Sequence, residues 1–291
     1  MAGKYHVRSV SLPATSHPTS IRVEQKLNSL KVLQQRRQAT STTTSASICS
    51  ALSGLEQLNS CVDELLANPT AEAMISTHKR EPWVDHLFDA SVVILDACSA
   101  SNDTVLEAKR QVHDLQSALR RRKGDSSIES SLSSYKCLRK RMRKDATKMI
   151  TALKRVDTRV RASAVNILDI DSSRMIKLLT EATTITTAIF ESLLSFLIGA
   201  PLSSLKETKW SLVQRLMNRK VAACESELVN EFVHAEAALI KIKCSSSEVD
   251  CDALERLATL ETSLGGLEKC LENIFRCLVR SRVCLLNMMS H

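Results

Sequence analysis

Three stretches of this chain repeat apolar residues at alternating steps of three and four. Val105, Ala108, Val112, Leu115 and Leu119 form one seam. Met142, Ala146, Met149, Leu153, Val156 and Val160 form a second. Leu257, Leu260, Leu264, Leu267, Leu271, Ile274 and Leu278 form a third. Such a repeat returns every seam residue to one face of an α-helix, whereas a strand alternates faces at every residue. Six glycines, five prolines and 3% aromatic residues leave little material for tight turns and sheets. The seams therefore predict an all-α fold, a bundle of long antiparallel amphipathic helices with coiled-coil-like contacts, with a homodimeric coiled coil as the alternative. With 291 residues the chain is long enough for one sizeable core, and we assign residues 19–291 to a single helical domain.

Punctuation along the chain refines this outline. Residues 1–18 are small, polar and poor in acids, so they read as a disordered tail. A plastid presequence has a similar composition and is the competing reading. Helical periodicity starts after Pro18 with Ile21, Leu27, Leu30 and Leu33, and the low-complexity stretch 40–47 reads as a linker. A second amphipathic helix is predicted over residues 48–66, and an apolar, central helix from about Trp83 to Ala97. Helix starts are predicted at four capping boxes, Thr104/Glu107, Ser126/Glu129, Ser204/Glu207 and Ser245/Glu248. Gly199 reads as a helix C-cap. The pair Gly265–Gly266 interrupts the third seam and predicts a kink or a close helix crossing. The most apolar stretch, Ile185 to Ile198, contains Glu191 and reads as a buried helix shorter than the ~20 residues of a membrane span.

Charge is concentrated. The net +8 of the whole chain is exceeded by residues 136–161 alone, where eleven Lys and Arg face only Asp145 and Asp157. Arg139, Lys140, Arg141, Arg143, Lys144 and Lys148 are read as a basic surface. Such a surface is either a solvated helix face or a contact for anionic lipid headgroups. Few stacking aromatics accompany it, which disfavours nucleic acid. In the tail, Arg8, Ser9, Ser11 and Pro13 spell R-S-x-S-x-P. Phosphorylation of Ser11 would turn this into the anionic ligand that 14-3-3 proteins read through an arginine cluster.

No chemistry-bearing motif accompanies these features. The chain has no Gly-rich phosphate loop, no G-x-S-x-G and no H-E-x-x-H. The expectation is a non-enzyme with no catalytic, cofactor or metal residue. The ten cysteines lack zinc spacing and read as reduced core thiols. Cys270, Cys277 and Cys284 share one helical stripe, where redox pairing or acylation is the alternative.

Several blocks together resemble a plant-specific family named after the BYPASS protein. They are RSVSLPATSHPTSIRVEQKLNSLK (8–31), SICSALSGLEQLNSCVDELL (47–66), FESLLSFL (190–197), WSLVQRLM (210–217) and LEKCLENIFRCLVRSRVCLLNMMS (267–290). The resemblance implies a helical plant protein linked to root and shoot development, with no catalytic residues to carry over. The resulting expectation is a cytoplasmic adaptor that binds protein partners. A peripheral membrane adaptor is the first alternative, and an enzyme of unknown type in small-molecule signalling is the second.

Overall fold

A computed structural model describes residues 18–39, 43–121, 125–163, 170–199, 230–242 and 249–290. Among these the chain forms eight helices and no strand, so the all-α expectation holds. They are α1 (Pro18–Ala39), α2 (Ser45–Leu66), α3 (Pro69–Thr77), α4 (Pro82–Arg121), α5 (Asp125–Ser163), α6 (Ile170–Ile198), α7 (Glu231–Ile242) and α8 (Val249–Ser290). At 1.5 Å per residue, α4, α5 and α8 are each about 60 Å long.

The three seams are the core. Every residue of the first and third is buried, and so is every residue of the second except the partly buried Met149. Their helices pack as neighbours, α5 on α4 and α4 on α8. Cross-contacts fix the directions. Cys98 lies against Leu271, Lys109 pairs with Glu268 and His113 with Glu261, so α4 and α8 run antiparallel. Arg22–Glu64 and Lys26–Gln57 make α1 antiparallel to α2. Two neighbouring pairs instead run parallel. Glu24–Arg174 and Lys31–Glu181 align α1 with α6. Cys49, beside Gly266, and Asp63, bonded to Ser281, align α2 with α8. The six long helices alternate up and down along the chain, so neighbours with an odd number of long helices between them run parallel, and α4 with α6 is a third such pair.

Helix α6 touches α1, α2, α4 and α5, which explains why it is apolar on most sides. Its stretch Arg174–Ile198 is long and apolar enough to cross a membrane, at a mean hydropathy of 1.3, but 67% of that window is buried inside the fold. It is the central core helix.

Several local expectations need correction. Helix α2 begins at Ser45, inside the stretch 40–47 read as linker, because Thr44 caps it by accepting from the Ser47 amide. The predicted helix 83–97 and the helix predicted to start at Thr104 are one continuous α4. The Thr104 hydroxyl donates to the carbonyl of Ala100 instead of capping a new helix. Ile21 is exposed, and Val23 takes the core position in α1. Helix α8 runs unbroken through Gly265–Gly266. Gly199 ends α6 as expected, at φ +75° with its amide on Ser195 and Phe196 carbonyls. The box at Ser126 lies one residue inside the start of α5. The boxes at Ser204 and Ser245 lie outside the described residues.

Candidate functional site

Around α5 the basic segment divides into a buried part and an exposed part. Counting back from Met142, the steps of three and four reach Arg139, Tyr135 and Leu132, so Arg139 sits on the seam and not on the solvent face. Its side chain is 2% exposed, which corrects its assignment to a basic surface. The guanidinium lies 4.1 Å over the Phe232 ring of α7. Its Nε donates to Glu236 at 2.6 Å, and its other nitrogens donate to the carbonyls of Leu197 and Ile198. Arg143 adds donors to Ile198 and Glu236 at 3.2 and 2.9 Å. Two arginines thus satisfy the last carbonyls of α6, at the negative end of its dipole, and tie α5, α6 and α7 together.

Beside this junction is a recess of about 250 Å³ lined by Leu132, Tyr135, Lys136, Arg143, Leu239 and Ile240, among others. The Tyr135 hydroxyl is buried and has no hydrogen-bond partner among the described residues. Burial pushes its pKa up, opposed by Arg139 and Arg143. An unsatisfied buried hydroxyl costs about 1–3 kcal/mol.

The remaining cations do form an exposed face. Lys136, Lys140, Arg141, Lys144, Lys148, Arg155 and Arg159 are all solvent-exposed. Arg141 and Lys148 have carboxylates at 3.8 Å, from Glu107 and Asp145. Lys140 and Lys144 make no ion pair among the described residues. Arg8, Ser9, Ser11 and Pro13 lie outside the described residues.

A second surface is apolar and was not read from the sequence. Phe275, Val279, Val283 and Leu286 of α8 are between 39 and 49% exposed. At spacings of four, four and three they form one ridge along a helix whose other face is the buried leucine seam. The signal was present: a second apolar stripe offset from the seam.

Four cysteines of the described residues are held toward the protonated thiol by their surroundings. All eight in the described residues are free. Burial, with a further contribution from Cys270, pushes Cys49 up to about 12. Burial also raises Cys98 to about 12, and it raises Cys277 and Cys284. Thiols held protonated are poor nucleophiles. Among the described residues no group of His, Cys, Asp and Glu is arranged to hold a metal ion.

A comparison with family models matches residues 51–288 to the one described as Protein BPS1. No curated protein and no solved structure matches the chain.

Proposed function

The chain belongs to the BPS1 family, and from that premise we propose that it acts without catalysis, as a helical adaptor in plant root and shoot development. The apolar ridge Phe275–Val279–Val283–Leu286 carries this reading. A regular apolar stripe left exposed among the described residues is what an amphipathic partner helix or a helix-binding groove recognises. Docking there needs no chemistry from the chain, in keeping with a family not known for enzymes.

The N-terminal tail supplies the switch. Phosphorylation of Ser11, three residues after Arg8 and two before Pro13, creates a 14-3-3 ligand and links adaptor assembly to a kinase. In this reading the adaptor works in the cytoplasm.

The test is capture of the tagged full chain from plant tissue, beside a Val279→Glu/Val283→Glu variant and a Ser11→Ala variant. Both variants keep the wild-type melting temperature, because they leave the buried seam untouched. The ridge variant loses its specific partners, and Ser11→Ala loses 14-3-3 alone. An unchanged partner set in the ridge variant overturns the docking assignment. Unchanged 14-3-3 capture by Ser11→Ala overturns the switch.

A second reading rests on the exposed cations of α5. Lys140, Arg141, Lys144 and Lys148 lie away from the buried seam, so they can face an anionic bilayer together. In that case the adaptor works at a membrane surface.

A further inference from the structure

The recess between α5 and α7 is separate from the ridge on α8 and from the tail, and neither use of the protein explains its composition. We propose that it binds a small amphiphilic carboxylate. The Tyr135 hydroxyl, Lys136 and Arg143 take the carboxylate, while Leu132, Leu239 and Ile240 take the apolar body.

The argument begins with Tyr135. Its side chain is 2% exposed, yet its hydroxyl finds no partner among the described residues. The charged groups that act on it are Arg139, Glu236 and Arg143. The two arginines can only donate. Glu236 is already engaged by Arg139 and Arg143, at 2.6 and 2.9 Å. What the hydroxyl lacks is an acceptor, which an incoming carboxylate oxygen provides.

Charge points the same way. Lys136, Arg139 and Arg143 line the recess against the single carboxylate of Glu236. Arg139 is fully occupied by its structural contacts. Arg143 directs Nε and one Nη to Ile198 and Glu236, and its other Nη makes no hydrogen bond among the described residues. Lys136 is exposed and makes no ion pair among them. The site therefore presents two cationic groups and one neutral donor to a single anion.

Shape and polarity then limit the rest of the ligand. A volume of about 250 Å³ lies just below the ~300–1,000 Å³ of ordinary ligand sites, so the ligand is small. Leu132 and Leu239 are buried in the walls, and Ile240 is 61% exposed at the rim. Covering that rim rewards an alkyl or aryl body. Inorganic phosphate or a bare dicarboxylate would leave it wet.

The test is calorimetric titration of the full chain with octanoate, octanol and inorganic phosphate, using wild type, Tyr135→Phe and Lys136→Ala. Octanoate binds saturably to wild type, while octanol and phosphate bind much more weakly. Tyr135→Phe weakens octanoate binding about tenfold or more without lowering the melting temperature, since the hydroxyl has no partner to lose among the described residues. Lys136→Ala weakens it several-fold and flattens its salt dependence. No saturable octanoate binding at millimolar probe overturns the site. Equal affinity in wild type and Tyr135→Phe overturns the role of the phenol. Phosphate binding as tightly as octanoate overturns the amphiphilic specificity. Lys136→Ala keeps the test decisive if Tyr135→Phe fails to fold.

Discussion

Arg139 reaches four groups outside its own helix with one side chain: the Phe232 ring, the Glu236 carboxylate and the carbonyls of Leu197 and Ile198. A planar fork of five donors allows this, and a lysine could not replace it. Removing it leaves Glu236 to Arg143 alone, takes the donor from the Leu197 carbonyl and uncovers the Phe232 ring. Arg139→Met is expected to cost about 3 kcal/mol in urea denaturation. The neighbouring Lys140→Met is expected to stay within about 0.5 kcal/mol. Equal effects at the two positions would show that the buried junction is not structural. Composition could not separate these residues, since both are simply basic. Seam register could, because steps of three and four lead from Leu132 and Tyr135 to Arg139 and Met142. Glu191 was legible as an odd carboxylate in an apolar helix. Burial raises its pKa from 4.5, against a lowering from Lys154. A raised pKa means that the native state holds its proton more tightly than the unfolded chain. The stability it contributes is fully present below pH 4.5 and is lost as pH rises through the native value. Glu191→Gln should therefore raise the melting temperature at neutral pH, with the gain vanishing in acid. A pH-independent difference would reject this account.

Helices show which parts of a sequence pattern carry across an element and which only decorate it. The buried seams were readable because the hydrophobic effect acts on whole faces, so a few polar interruptions do not end them. Thr104 sits in a polar run, and its capping box is locally convincing. Val105 and Ala108 nevertheless continue the face begun by Ala90, Ile94 and Ala97, and burial of that face outweighs the cap. The parallel packing of α1 on α6 and α2 on α8 was not readable, because periodicity fixes a face and not the neighbour it meets. Nor did the sequence reveal that Gly265 and Gly266 need no bend. A methyl group at either would meet its nearest neighbour at 3.9 Å, an ordinary contact. Gly265→Ala and Gly266→Ala should each raise stability by about 1 kcal/mol, measured by thermal or urea unfolding. Gly54 is the contrast: a methyl group there falls 2.7 Å from Leu30 Cδ2, so Gly54→Ala should be the harmful glycine replacement. Destabilisation at 265 or 266 would mean that the close approach to Cys49 or Lys109 matters after all.

For the molecule as a whole, unevenly distributed charge gives the membrane reading its own signature. Exposed cations are screened over about 10 Å at 0.1 M salt and about 3 Å at 1 M. Flotation with phosphatidylserine vesicles should fall as salt rises, and should be lost when Lys140, Arg141, Lys144 and Lys148 are all changed to Glu. Salt-insensitive flotation would assign membrane contact to some other surface. The family assignment, spanning residues 51–288, covers both the α5 face and the α8 ridge. The recess beside Tyr135 was beyond the sequence, because it depends on α7 meeting α5. The same long-range closure governs how the molecule is made. Helix α8 supplies the buried face for α2 and α4, yet a ribosome working from the N-terminus makes it after them. At about 5–20 residues per second, translating from Leu66 to Leu271 takes on the order of 10–40 s. Throughout that interval α2 of the nascent chain lacks one of the helices it packs against. The newborn chain therefore carries uncovered apolar faces until α8 emerges, and its core closes last.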